Sequence, residues 1–279
     1  MHIHIIGGDQ RQIFLADMLK SGGDTVTLAG FEQLGIASAK PDSADVVFLP
    51  VPYKDGEGNI KAPYATRKLS LGDIVGAFPD STYVLGRADD EVKQMLARNR
   101  VADLLADETF LIDNAELTAE GAICAYLNAS DTALAGVKCV VIGFGRIGKI
   151  LSAMLRAYTC DVTATARREK DLALIRAAQL IAVHTNNVGE TLYNADVVFS
   201  TVPCHVLGKE ELWAIPESAH VIELASPPYG VDMELAKKMG VDVRIEGGLP
   251  GRYFPKSAAT AMLCAYMRAA ACASSGEEI

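Results

Sequence analysis

Along most of this chain, apolar runs of strand length alternate with stretches in which apolar residues recur every three or four positions. "HIHII" (2–6) is followed by a glycine turn, then by "RQIFLADMLKSGG" with helical spacing, then by "TVTLAG". That succession predicts strand, turn, helix and strand. "VVFLPVP" (46–52) predicts another buried strand, and "TYVLG" and "TFLID" are weaker strand candidates. The polar, glycine-rich "KDGEGNIK" (54–61) predicts a loop, and "ELTAEGAICAYLN" (116–128) a helix. Further strands are expected at 138–142, 161–165, 196–201, 220–224 and 241–245, with helical patterns between them.

Such alternation implies mainly parallel sheets. The expected fold class is therefore α/β, with two Rossmann-like doubly wound domains and a cleft between them. The first would span 1–115 and be completed by a C-terminal helix, 256–279, whose Ala-rich sequence favours helix and whose apolar face must be buried. A connecting helix is expected at 116–131 and a nucleotide-binding domain at 132–255.

Composition narrows the function. The chain has 279 residues, half of them apolar, enough for two ordinary domains with sizeable cores. A net charge of −9 is no footprint for nucleic acid, which calls for a basic stripe. The start has no basic leader, and the longest late apolar run falls short of the ~20 residues that span a bilayer. A cytoplasmic protein that binds neither nucleic acid nor membrane is expected. Six cysteines without C-x-x-C spacing suit reduced, buried thiols, and five scattered histidines offer no metal spacing, so no metal site is expected.

The sharpest chemistry lies in "CVVIGFGRIGKILSAML" (139–155). Gly143, Gly145 and Gly148 fit G-x-G-x-x-G between a strand and a helix. The first glycine permits the turn, the second the approach of a pyrophosphate, the third close helix packing. With Phe144, Arg146 and Ile147 they form the expected cofactor loop. About 20 residues on, where an NAD site carries an acidic residue for the ribose, this chain has Ala166, Arg167 and Arg168. Guanidinium groups grip a 2'-phosphate, so NADP is the expected cofactor. Thr201, Val202 and Pro203, after the fourth strand of this domain, are expected beside the nicotinamide, with His205 as a candidate general base.

"IIGGDQRQ" fails as a phosphate loop because Asp9 and Gln12 replace the second and third glycines. Domain one then offers polar groups to a substrate: Asp9 as acid or base, unless it only caps a helix, and Arg11 as a carboxylate clamp. "IEGGLPGRYFPKSAA" (245–259) is expected to be a long loop in which Gly248, Pro250, Arg252 and Lys256 contact substrate; Ser226 is the polar candidate in "ELASPPYGVD" (223–232). A cation at a helix start, as at Lys256, opposes the dipole and suits an anionic ligand.

The ordered set "IGGDQRQ", "GFEQL", "LPV" with "GEGNI", "TAEG", "GFGRIGK", "ELASPPYGVD" and "GLPGRYFPKSA" resembles the family of dipicolinate synthase A-subunits over nearly the whole length. Pro228-Tyr229-Gly230, where the family tends to carry a Gly-Gly pair, and Ala259, where it tends to carry a glycine, depart from the family's pattern. The resemblance implies NADP-dependent oxidation of a small dicarboxylate, a dihydrodipicolinate-type intermediate of the lysine pathway, to pyridine-2,6-dicarboxylate. That acid accumulates in endospores during sporulation. A flavoprotein-like B-subunit is the implied partner, and a homo-oligomer the expected assembly. Other readings remain open. A D-2-hydroxy acid dehydrogenase would need a late-loop histidine, and residues 225–260 hold none. A shikimate-type dehydrogenase would need a lysine with an aspartate, such as Lys61 with Asp80 or Asp103. The third reading is a non-catalytic, NADP-binding regulatory protein of a complex.

Overall fold

The structure, a computed structural model, describes the backbone of residues 1–275 and the side chains of residues 1–272. It divides into two compact units, Met1–Asn114 with Pro250 onward, and Ala115–Leu249. Each is a parallel α/β sheet, as the alternating pattern implies.

The first unit contains β1 (His2–Ile6), α1 (Gln10–Ser21), β2 (Thr25–Ala29), β3 (Val46–Phe48), α2 (Leu71–Ala77), β4 (Thr82–Leu85), α3 (Asp90–Met95) and β5 (Val101–Asp103). Its sheet order is β2-β1-β3-β4-β5. Alternate residues of a strand point to opposite faces, and the strands sort accordingly. Ile3, Ile5, Val46, Phe48 and Val84 enter one core. Ile6, Val47, Leu49, Tyr83 and Leu85 enter the other.

The next helix, α4 (Glu108–Leu127), starts earlier than the expected 116 and contains the "TFLID" segment expected as a strand. A short apolar run does not distinguish strand from helix. Here Asp107 decides: its Oδ1 accepts from the amides of Thr109 (2.8 Å) and Phe110 (3.2 Å), the geometry of a helix N-terminus.

The second unit contains β6 (Lys138–Ile142), α5 (Arg146–Ala157), β7 (Asp161–Ala166), α6 (Glu169–Ala177), β8 (Ile181–His184), α7 (Gly189–Leu192), β9 (Val197–Ser200), α8 (Lys209–Ala214), β10 (His220–Glu223), α9 (Met233–Met239) and β11 (Val243–Ile245). Its order, β11-β10-β9-β6-β7-β8, is that of a dinucleotide-binding sheet with its switch point between β6 and β9. The edge strand β8 has no fully buried residue and is not among the strands expected from the sequence.

Two short-range expectations need correction at the end of the chain. The stretch read as one loop holds a helix, α10 (Leu249–Tyr253), and the final helix, α11 (Pro255–Ser275), begins one residue before Lys256. The expected helical residues 276–279 lie outside the described residues. Within the first unit, α11 packs on α1 through Ala259, Met262, Ala265 and Tyr266 against Leu15, Ala16 and Leu19. Small alanines let the two helices approach closely. Arg268 adds a polar tie, its Nε donating to Asp107 at 2.8 Å.

Candidate cofactor and substrate site

At the carboxyl end of β6 the three glycines do three different things. Gly143 has φ +100°, and a Cβ there would lie 2.5 Å from Val202 Cγ1 and 2.7 Å from Thr201 Oγ1. A Cβ on Gly148 would come within 2.1 Å of the Gly143 carbonyl oxygen. These two glycines serve the fold. Gly145 differs, because a Cβ on it would meet nothing within 4 Å. It is also the N-cap of α5 and provides no side-chain cap at the start of this twelve-residue helix. An open approach to a helix N-terminus suits a pyrophosphate. Gly145 and Arg146 are exposed, Phe144 and Ile147 half-buried, and the Lys149 ammonium lies 5.7 Å from the Phe144 ring centroid. The turn is braced by the Gly143 amide donating to Thr165 Oγ1 (3.3 Å) and by Thr201 Oγ1 donating to the Ile142 carbonyl (2.9 Å).

At the end of β7, Ala166 is buried and Arg167 and Arg168 are exposed. The two arginines have different surroundings. Arg168 Nε lies 2.6 Å from Asp171 Oδ2, and that pairing holds the Asp171 carboxyl below the usual range. Arg167 makes no side-chain hydrogen bond or ion pair among the described residues. Its backbone is fixed instead, since His184 Nε2 donates to the Arg167 carbonyl at 3.2 Å. His184 lies on the unannounced strand β8 and no motif marks it.

Thr201 and Val202 are half-buried and Pro203 exposed, directly after β9. His205 has a 58% exposed side chain and lies 3.6 Å from Asp232 Oδ2, whose other oxygen caps α9 through the Leu235 amide (3.0 Å). Ser226 is exposed on the loop after β10.

What shapes that loop is Glu223, the first residue of "ELASPPYGVD", which the sequence does not single out. It is fully buried and accepts backbone amides from Ala225 (2.9 Å), Gly230 (3.0 Å) and Val231 (3.1 Å). Burial outweighs these donors and pushes its pKa above the ordinary 4.5. The loop is thereby held on Ser200 and Val202, where a Gly230 Cβ would clash at 2.2 Å. Glu223→Ala strands three backbone donors, two of them buried, each worth about 1–3 kcal/mol. We expect a loss of roughly 3 kcal/mol or more in urea unfolding, with partial recovery in Glu223→Gln. A raised folded pKa contributes stability that is complete below pH 4.5 and lost as pH rises through the folded value. The advantage of the wild type over Glu223→Gln is therefore expected to shrink as pH rises.

In the first unit, Asp9 caps α1, accepting from the Arg11 amide at 3.0 Å, while Gln12 Oε1 accepts from the Asp9 amide at 2.8 Å. Arg11 is buried, and the carboxylate it grips is that of Asp9: Nε to Oδ1 and Nη2 to Oδ2, both 2.9 Å. Its Nη2 also donates to the Val51 carbonyl at 3.1 Å. Burial opposes ionisation of Asp9, but Arg11 holds the carboxyl below its ordinary range. A Cβ on Gly251 would lie 2.9 Å from Asp9 Oδ2 and 3.0 Å from Arg11 Nε, so α10 closes on this pair. The structure thus brings together two segments far apart in sequence. Pro250 is buried, Arg252 stacks over the Tyr253 ring at 5.2 Å, and Lys256 is exposed in the first turn of α11. Gly248, at φ +66°, belongs to the second unit rather than with Pro250. Asp103 accepts from the amides of Arg87, Ala88 and Leu105, a structural duty.

Among the described residues, no helix is long and apolar enough to cross a membrane, and no group of three or more His, Cys, Asp and Glu is placed to hold a metal.

Residues 2–104 match the family model for the N-terminal domain of the dipicolinate synthase A-subunit. Residues 93–238 match that for the NAD binding domain of D-isomer specific 2-hydroxyacid dehydrogenases. The dipicolinate synthase A-subunit of Bacillus subtilis (strain 168) is 26% identical over 272 residues, covering 92% of each chain. Among solved structures, the dipicolinate synthase A-subunit from Bacillus halodurans superposes with a TM-score of 0.84 at 26% identity, covering 96% of each chain. Its Bacillus subtilis counterpart superposes at 0.81 and 26% identity, covering 98% of this chain and 96% of that one. The dehydrogenase-like second unit is therefore of a kind that binds a nicotinamide cofactor.

Proposed function

Because the chain belongs to the family of dipicolinate synthase A-subunits and carries an NAD-binding domain of the D-isomer specific 2-hydroxyacid dehydrogenase type, we propose that it is an NADP-dependent oxidoreductase that converts a dihydrodipicolinate-type dicarboxylate to pyridine-2,6-dicarboxylate. The observation that carries this reading is the pairing of an open Gly145 with an unpaired Arg167 where an NAD site would have a carboxylate.

A nicotinamide held here would supply a hydride acceptor for a ring carbon of the substrate, which would also lose a proton as it becomes aromatic. The open Gly145 and the uncapped N-terminus of α5 would hold the dinucleotide's pyrophosphate. Arg167 meets the 2'-phosphate, while Arg168 steadies the start of α6 through Asp171. Thr201, Val202 and Pro203 wall the nicotinamide. Arg252 and Lys256 supply positive charge to the substrate's carboxylates. Asp9, ionised and clamped by Arg11, is an oriented carboxylate and a weak base; His205, exposed beside Asp232, is the other candidate base. Aromatisation supplies driving force, so alignment is the main task left to the protein.

The test is turnover by the purified chain alone, given enzymatically made dihydrodipicolinate and NADP. Equal growth of reduced-nicotinamide absorbance and of pyridine dicarboxylate is the expected result. Turnover that appears only when a preparation of the family's B-subunit is added would overturn the claim that this chain is sufficient.

A further inference from the structure

We propose that the loop joining β3 to α2 forms a carboxylate subsite in which Lys61 and Arg67 take one of the substrate's two carboxylates, which makes the site selective for dicarboxylates; this rests on the dicarboxylate reading above.

A sheet of order β2-β1-β3-β4-β5 has its switch point between β1 and β3, where ligands of open α/β sheets bind. In this unit the chain itself returns to that point. The Gly8 amide donates to the Lys61 carbonyl at 2.7 Å, and a Cβ on Gly7 would meet Ile60 Cγ2 and the Lys61 carbonyl oxygen at 3.0 Å. The space of a nucleotide phosphate is filled by this loop, which agrees with the loss of the second and third glycines to Asp9 and Gln12. The loop is firmly built. The Asp55 amide donates to the Asn59 carbonyl (2.9 Å), that of Lys61 to Tyr53 (2.8 Å) and that of Ile60 to Leu69 (2.9 Å).

Beside it opens a cavity of about 370 Å³ lined by Asp55, Asn59, Lys61, Thr66, Arg67 and Lys68, within the usual range for a small ligand. Its charges do not cancel internally. Lys68 is paired with Glu57, and Asp55 Oδ1 accepts from the amides of Glu57 (2.9 Å) and Asn59 (3.0 Å). Lys61 and Arg67 form no ion pair within hydrogen-bonding distance among the described residues. Lys61 does reach Asp9 electrostatically and helps to keep that carboxyl ionised. Two cations with neighbouring hydroxyl and amide donors form a carboxylate receptor.

The experiment is calorimetry with pyridine-2,6-dicarboxylate and its one-carboxylate analogue pyridine-2-carboxylate on the wild type, Arg67→Ala and Lys61→Met, with NADPH binding and KM measured on the same samples. Arg67 is exposed, so its removal leaves the fold in place. The wild type should prefer the dicarboxylate by about tenfold or more, and each variant should lose most of that preference while NADPH affinity holds. Unchanged preference and KM in both variants, with turnover intact, would overturn the subsite and leave the proposed reaction standing. Loss of preference in the variants, in a protein that makes no pyridine dicarboxylate, would support the subsite and refute the reaction. A wild type that binds no dicarboxylate refutes the subsite outright.

Discussion

Gly145→Val is expected to leave the fold in place and to weaken NADP(H) binding by about a hundredfold or more. Position 145 has extended backbone angles, φ −78° and ψ −162°, open to any L-residue, and no atom stands within 4 Å of the added Cβ. The side chain would instead fill the space that a pyrophosphate must enter, removing amide bonds to a charged group worth about 1.5–3 kcal/mol each. Melting should stay within about 4 °C of the wild type. Gly148→Ala is the informative contrast. Its Cβ would be driven into the Gly143 carbonyl at 2.1 Å, so α5 must lift from β6 and stability must fall. Binding lost at full stability in the first variant, and stability lost in the second, would separate the ligand-facing glycine from the packing glycine. Undiminished nucleotide affinity in Gly145→Val would place the cofactor elsewhere.

Arg167→Asp is expected to reverse the preference between the two nicotinamide dinucleotides. The wild-type guanidinium has no hydrogen-bonding or ion-pair partner among the described residues, so its charge is available to a 2'-phosphate. Aspartate at this place repels the phosphate and accepts from a ribose hydroxyl, as acidic residues do in NAD sites. Loss of a charge-assisted hydrogen bond together with new repulsion should cost NADPH about a hundredfold, with NADH gaining or unchanged. Arg168→Ala should behave differently. Its partner Asp171 has a side chain only 7% exposed, so the change strands a sheltered carboxylate and lowers stability more than it alters selectivity. Equal loss of both nucleotides in Arg167→Asp would remove the 2'-phosphate argument.

Much of the fold is legible from residue order because the informative patterns are local. The β6–α5 turn announces itself through a buried strand, three spaced glycines and an amphipathic helix. The parallel sheets follow from alternation alone. The alternative reading of Asp9 as a helix cap is the one the structure forms, with Gln12 completing a capping box not read from the sequence. The misreadings arise where periodicity is ambiguous or partners are distant. "TFLID" is as apolar as a strand, and only its capping by Asp107 makes it helical. Gly251 meets Asp9 and Arg11 across most of the chain, so no window of sequence contains the contact. Arg11 reads as a clamp for a ligand only while Asp9, two residues away, is taken as a separate acid or base; the two pair with each other. Glu223 and the Lys61 loop lie in or beside quoted motifs, but those motifs do not show their roles, which depend on backbone amides and on the β1–β3 switch point brought together by folding.

If the turn after β6 holds a nicotinamide dinucleotide and Arg167 selects its phosphorylated form, calorimetric titration of NADPH and of NADH into the folded wild-type chain will reveal both. The expected outcome is one site per chain, with NADPH tighter by about tenfold or more. Binding of neither dinucleotide, or tighter binding of NADH, would contradict that assignment.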